Sequence, residues 1–290
     1  MTSRKITPWA FLAPALIIAL LFHVVPFINT VILSFTNARA LGGGSFTGLA
    51  NYERLLQDPN FWLATRNTLL YVVVVVPLLV VLPLLLAILV EPKVPGIGFF
   101  RSIFYSPVVA SMVVVGLIWT WLLASDGLIN QVLQALRIVQ GPLPFLTDSR
   151  LLLLSSMFVT VWKGLGYYMV VYLAALGNVS RDQHEAAQVD GAGRIKRFWY
   201  VTVPGVRPTI LLIGLLSAIA AMKVFAEVYV ISFGSAGPGG QARTLVYTIR
   251  EVGLGLGGQI GYASAMSLAL FVMTVGFSVA YLRSQRSEAA

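Results

Sequence analysis

Six long apolar runs, separated by shorter polar segments, set the strongest limit on how this chain folds. Each run reaches the roughly 20 residues that an α-helix needs to cross a hydrocarbon core of about 30 Å. The sequence therefore predicts an all-α membrane protein with six transmembrane helices. The predicted spans cover about residues 9–35, 67–90, 103–124, 151–177, 209–233 and 260–282.

The composition supports a membrane protein and excludes several other classes. Only 11% of the residues are charged, against about 25% in a typical soluble domain. The net charge of +9 comes from basic residues dispersed at the ends of the apolar runs, so orientation in a bilayer explains it better than nucleic-acid binding. The chain has no cysteine, which excludes disulfides and thiolate metal sites. The first run is longer than the apolar region of a secretory signal, which has about 7–15 residues. We therefore interpret it as a membrane helix.

The distribution of lysine and arginine predicts the orientation. Eleven of the 20 basic residues fall on the side of the N-terminal tail, seven fall on the other side, and Lys163 and Lys223 lie inside spans. The positive-inside rule then places both termini and the segment 180–208 in the cytoplasm. We therefore expect a multi-pass protein with three outward-facing segments, which would receive cargo.

The polar segment 180–208, SRDQHEAAQVDGAGRIKRFWYVTVPGVRP, stands out between the fourth and fifth runs. It begins with good helix formers, is interrupted by Gly191 and Gly193, and resumes until Pro204 and Pro208. This pattern predicts two short helices joined at a glycine turn. Small alanine side chains on the first helix would let another surface approach closely. The alternative is a basic loop that only fixes topology.

This segment resembles the EAA loop of permease subunits of binding-protein-dependent ABC importers. Other stretches, such as GLANYERL, RSIFYSPVVASMVVVGLIWTWL and IGYASAMSLALFV, are similar to carbohydrate-type members, so the resemblance covers nearly the whole chain. It implies one permease domain, residues 1–290, with the bundle of a type I ABC importer. It also implies a cytoplasmic coupling element that docks on an ATPase. That element would comprise Glu185, Ala186, Ala187, Asp190, Gly191 and Ala192.

The same resemblance implies the partners and the location. We expect a second permease subunit, two ATPase subunits, an extracytoplasmic substrate-binding protein and the lipid of a bacterial inner membrane. The cargo would be a carbohydrate or a sugar derivative. No lysine of this chain follows a glycine, so a P-loop is absent and ATP would bind to the partner ATPase, with no cofactor in this subunit. The sequence contains no G-x-S-x-G or H-E-x-x-H pattern, and we expect neither a catalytic nor a metal site.

Charged residues inside the spans are candidates for the cargo pathway, because a charge in a bilayer is costly unless it faces a partner or a wet cavity. Lys223 and Glu227 are four residues apart, so on one helix they would share a face and could form a purely structural pair. In similar permeases the fourth span and the span after the EAA loop supply cavity residues. The resulting candidates are Lys163, Gly164, Tyr167, Ser217, Lys223 and Glu227.

The sequence leaves two points open, the identity of the cargo and the class of transporter. The fifth run has Ala220, Ala221 and a charged pair where similar sugar permeases often carry amides. This difference leaves open an amino sugar or a sugar phosphate as the cargo. A self-sufficient secondary transporter or channel is the alternative function. It would explain the intramembrane charges, but it leaves the EAA-like loop without a purpose.

Overall fold

The computed structural model describes residues 3–91, 94–255 and 257–287. Regular structure in these ranges is helical, apart from an isolated antiparallel bridge between Thr36 and Phe46. The predicted all-α class is confirmed. The chain ends that the sequence places in the cytoplasm, residues 1–2 and 288–290, lie outside the described residues, as do residues 92–93 and 256.

The helices follow one another with short connections. From the N-terminus they are α1 Ser3–Ala19, α2 Val25–Ser34, α3 Ala50–Gln57, α4 Pro59–Val90, α5 Ile97–Val109, α6 Met112–Leu122, α7 Leu128–Ala135 and α8 Ser149–Leu176. After these come α9 Arg181–Val189, α10 Arg194–Arg197, α11 Val203–Gly205, α12 Arg207–Met222, α13 Ala226–Ile231, α14 Leu245–Leu254 and α15 Ile260–Ser287. The π-helical turns Leu20–Val24 and Phe198–Thr202 join α1 to α2 and α10 to α11.

Four helical stretches of the described residues are long and apolar enough to cross a membrane unbroken. They are Phe11–Ser34, Pro59–Val90, Ser149–Leu176 and Ile260–Ser284. Two further stretches pass the same test only as bent pairs, α5 with α6 at 101° and Arg194–Gly205 with α12 at 69°. If each bent pair is one span, the described residues contain six candidate spans.

The third run, predicted as one helix, is thus divided into α5 and α6. Pro107 lies in the last turn of α5, where its ring removes one backbone donor. Ser111 then begins α6, because its side chain accepts a hydrogen bond from the Val114 N–H at 3.4 Å. A proline followed by a serine N-cap is a local reason for one helix to stop and another to start.

Residues Met1–Trp62 and Thr248–Val275 form one compact unit. The Asn51 side-chain amide donates to the carbonyl oxygens of Ser34 and Thr36, at 2.8 Å each, and so fastens α3 to the end of α2. The Tyr262 hydroxyl donates to Asp58 at 2.7 Å, which ties the start of α15 to the end of α3. These side-chain hydrogen bonds connect α2, α3 and the start of α15.

Residues Leu63–Tyr247 and Gly276–Ala290 form a second compact unit, which contains the loop 180–208. Gly166 of α8 lies against the Phe104 backbone of α5, where any Cβ atom would collide with the carbonyl. Glycine at this position lets the two helices approach closely, as small residues do in membrane bundles. Trp119 of α6 is packed edge-on between Phe158 and Trp162 of α8. These contacts make α8 the central helix of the second unit.

Candidate functional site

The EAA-like segment folds as two short helices joined by a tight turn. Ser180 caps α9 by accepting from the Asp182 N–H at 3.2 Å. At the other end Gly191 is left-handed, with φ of 76°, and its N–H donates to the Gln188 carbonyl at 3.0 Å. The Ala192 N–H donates to the Ala187 carbonyl at 2.8 Å. These two bonds form a Schellman motif, in which glycine is favoured because it carries no penalty for a left-handed backbone.

The residues predicted to dock on an ATPase lie on the outer surface of this turn. Most of them are exposed and the rest half-buried in the single chain. Two apolar neighbours are exposed as well: Val189 is 88% exposed and Ile195 is 76% exposed. Isolated surface residues of this kind are common, but apolar side chains projecting from a short capped turn suit a protein interface.

The segment is firmly joined to the spans on both sides. Val179, just after α8, packs against Gly205 of α11, where an added Cβ would lie 2.9 Å from the valine methyl group. Val206, the residue that precedes α12, is fully buried. These contacts connect the segment to the end of α8 and the start of α12.

A second feature of interest is a break in the fifth run. The prediction that Lys223 and Glu227 lie on one helix is wrong, because α12 ends at Met222 and α13 begins at Ala226. The Thr244 hydroxyl donates to the Val224 carbonyl at 2.9 Å. This bond satisfies a backbone acceptor that the interrupted helix leaves free, which is required of any non-helical backbone at membrane depth.

The break borders a cavity of about 470 Å³. Ser217 of α12, Lys223 of the break and Glu227 of α13 all line it. Tyr71 of α4 and Thr160 of α8 line it too, and their hydroxyl groups hydrogen-bond to each other. The cavity thus combines apolar walls with a few polar groups, the composition typical of small-molecule sites.

The other three cavity candidates lie elsewhere. The Lys163 ammonium donates to the Ala110 carbonyl at 3.0 Å, at the bend between α5 and α6. Gly164 packs against the side chain of Leu79, and Tyr167 is 47% exposed. None of the three lines the cavity. Lys163 instead satisfies a backbone carbonyl freed by a helix break.

The sequence-based candidates came from the intramembrane charges and from a resemblance that assigns cavity residues to the fourth and fifth spans; Tyr71 lies in the second span, and Thr160, although in the fourth, was not among them. Both carry hydroxyl groups within long apolar runs, and buried hydroxyls need hydrogen-bond partners. That signal was present in the sequence. It does not by itself separate a cavity residue from one that bonds its own helix.

Comparisons with known proteins agree on one family. A family described as "Binding-protein-dependent transport system inner membrane component" matches residues 63–287. The lactose transport system permease protein LacF of Rhizobium radiobacter is 32% identical over 271 residues, which cover 93% of this chain and 91% of LacF. The arabinooligosaccharides transport system permease protein AraP of Bacillus subtilis (strain 168) is 30% identical over 285 residues, covering 97% and 89%.

A solved structure shares the fold. The chain of a bacterial ABC transporter involved in the import of the acidic polysaccharide alginate superposes with a TM-score of 0.84. The match covers 98% of this chain and 96% of that chain at 23% identity. At this identity the likeness shows the fold alone, and it confirms the predicted type of helical bundle.

The bond that stabilises the break can be tested by an isosteric substitution. We expect Thr244→Val to lower the free energy of unfolding by about 1–3 kcal/mol, because the Val224 carbonyl loses a buried donor. Thr244→Ser keeps the hydroxyl and serves as the matched control. Thermal unfolding of the purified chain in detergent, followed by tryptophan fluorescence, measures the difference. Equal midpoints for the two variants would contradict this role.

Proposed function

This chain belongs to the inner membrane components of binding-protein-dependent transport systems, and we propose that it carries a carbohydrate or a sugar derivative inward. Two relatives, LacF and AraP, are named for the transport of lactose and of arabinooligosaccharides. Their similarity over nearly the whole chain supports the carbohydrate class. A charged sugar, such as an amino sugar or a sugar phosphate, suits a cavity that offers both Lys223 and Glu227.

The proposed assembly contains this chain, a second permease subunit, two ATPase subunits and an extracytoplasmic binding protein. The capped turn at Gly191 is the observation that carries the coupling role. It presents exposed apolar side chains, Val189 and Ile195, from a polar loop that is joined firmly to two spans. Family membership also favours this assembly over a self-sufficient transporter or channel.

In this mechanism, closure of the ATPase subunits displaces α9 and the turn after it. The packing of Val179 on Gly205 transmits the displacement to α8 and α12. Both helices contribute to the cavity, through Thr160 and Ser217 respectively. A movement of either helix therefore changes the cavity wall, which is how ATP hydrolysis would alternate the access of the cargo.

The two neighbouring glycines of the loop provide a matched test of coupling. A Cβ atom meets nothing within 4 Å at Gly191 or at Gly193, but Gly191 has φ of 76° and Gly193 has φ of −66°. Valine is strained only at the first, by about 1–2 kcal/mol or more. We expect Gly191→Val to uncouple ATP hydrolysis from uptake and Gly193→Val to retain coupling.

The measurement is the ratio of cargo transported to ATP hydrolysed in proteoliposomes. Copurification of the ATPase with each variant shows whether assembly is kept. Normal coupling in Gly191→Val, with a normal amount of bound ATPase, would argue against the proposed role of this turn.

The absence of natural cysteines allows the orientation to be tested with single introduced thiols. Lys196, in the loop, and Gln140, in the segment between α7 and α8, are both exposed. We expect a membrane-impermeant maleimide to label Lys196→Cys in inside-out vesicles only, and Gln140→Cys in right-side-out vesicles only. The opposite pattern would place the loop on the outer face and end the coupling proposal.

If the cavity binds cargo, substitutions of polar residues that line it should change the KM for uptake, and substitutions outside it should not. Lys223→Gln and Glu227→Gln should each raise the KM for uptake roughly tenfold, since a hydrogen bond to a charged group contributes about 1.5–3 kcal/mol. Tyr167→Phe, outside the cavity, should leave the KM unchanged. Uptake assays with a panel of neutral, amino and phosphorylated sugars measure these effects. Unchanged KM values for both cavity variants would remove the charged pair from the pathway.

A further inference from the structure

A larger cavity, of about 720 Å³, lies where α4 and α8 end against the EAA-like segment. It is separate from the cavity at the helix break and shares no lining residue with it. Most of its ionisable lining is basic. The ionisable residues that line it are Glu91, Arg101, Arg181, His184, Arg194 and Arg197.

The positive charge in this cavity is largely uncompensated. Four arginines face a single carboxylate, Glu91. In the part of the chain that the structure describes, Arg181 and Arg194 have neither a hydrogen bond nor an ion pair from their side chains. Clustered guanidinium groups without anionic partners repel one another, so such a cluster is more stable when an anion is bound between them.

Arg197 supplies an independent indication of a missing ligand. Its Nη1 donates to the Gln188 side-chain oxygen at 3.2 Å. Its Nε atom is buried and finds no acceptor among the described residues. A buried donor without a partner is costly and points to a group that completes the site, such as a bound anion.

Arg101, which also lines the cavity, is already fixed in place. Its guanidinium donates to the Val90 carbonyl through Nε at 3.0 Å and Nη2 at 2.7 Å, and Nη2 also donates to the Glu91 carbonyl at 3.1 Å. These bonds cap the C-terminal end of α4 and hold the guanidinium group of Arg101 in the lining of the cavity. The site is therefore partly organised before any ligand binds.

The remaining wall of the cavity is apolar. Ile88 near the end of α4, Leu173 near the end of α8 and Phe198 of the π-helical turn contribute to it. Helices α4 and α8, of 32 and 28 residues, are longer than the roughly 20 residues that cross the hydrocarbon core, so their ends reach the headgroup region. A ligand that fits both walls carries an anionic group on one side and a hydrocarbon part on the other.

We propose that this cavity binds the phosphate of an anionic phospholipid. Guanidinium groups match phosphate oxygens in geometry and charge, and basic pockets between membrane helices are typical headgroup sites. The leaflet, the cytoplasmic one, rests on the proposed orientation of the chain. A lipid bound there would contact α4, α8 and the EAA-like segment together. It would thereby hold the capped turn at Gly191 close to these two spans.

The test uses the full chain in nanodiscs that contain equal amounts of phosphatidylglycerol and phosphatidylcholine. Native mass spectrometry counts the lipids that stay bound to the released protein. We expect the wild type to retain phosphatidylglycerol preferentially and Arg194→Gln/Arg197→Gln to retain roughly tenfold less. Lys196→Gln, which removes an exposed charge from the same short helix without touching the cavity, should retain as much as the wild type.

Two further outcomes separate a lipid bound in this cavity from surface electrostatics and from free phosphate. Equal loss in Lys196→Gln would indicate general surface electrostatics and overturn the site. Complete displacement of the lipid from the wild type by millimolar inorganic phosphate would assign the site to free phosphate instead. If the double variant does not fold, Arg181→Gln removes another arginine of the lining, and unchanged lipid selection in that variant would count against the proposal. Lipid retention is measured without cargo or ATPase, so it stands or falls independently of the transport function.

Discussion

A backbone carbonyl without a hydrogen-bond partner costs several kcal/mol in hydrocarbon, and this cost shapes the described part of the chain. Its spans are not all straight helices, and the interruptions within them are compensated by side chains. Lys163 donates to Ala110 where α5 meets α6, and Thr244 donates to Val224 where α12 is broken. Arg101 does the same at the end of α4. These three polar side chains are thus the hydrogen-bond partners of backbone carbonyls at helix ends and breaks.

The break after α12 also borders the candidate cargo cavity. The interruption after α12 opens a cavity in which Ser217, Lys223 and Glu227 are brought together with Tyr71 and Thr160. A continuous helix would have placed Lys223 and Glu227 on one face, where they could neutralise each other. Division of the run leaves both groups lining the space. In the proposed function this separation serves recognition of cargo, while the capped turn between α8 and α12 serves coupling.

The coupling segment and the cargo cavity differ in how much of them is local. The helix, turn and helix around Gly191 follow from alanine, glycine and proline within about thirty residues, and the structure has them as expected. The conformation of Gly191 depends on bonds between residues at most five apart. By contrast, the cavity joins α4, α8, α12 and α13. Ser217, Lys223 and Glu227 were identified from the sequence, whereas Tyr71 and Thr160 were not.

The sequence alone determined the membrane class, the six apolar runs and the two short helices of the loop, because hydropathy and local propensity act over neighbouring residues. It also carried the resemblance that the family comparison bears out. Only the tertiary structure decided where helices break and what each polar group does. Lys163 and Ala110 are 53 residues apart, and Tyr71 and Thr160 are 89 apart. Such pairs are set by helix packing, which satisfies each buried polar group with whatever donor or acceptor the neighbouring span supplies.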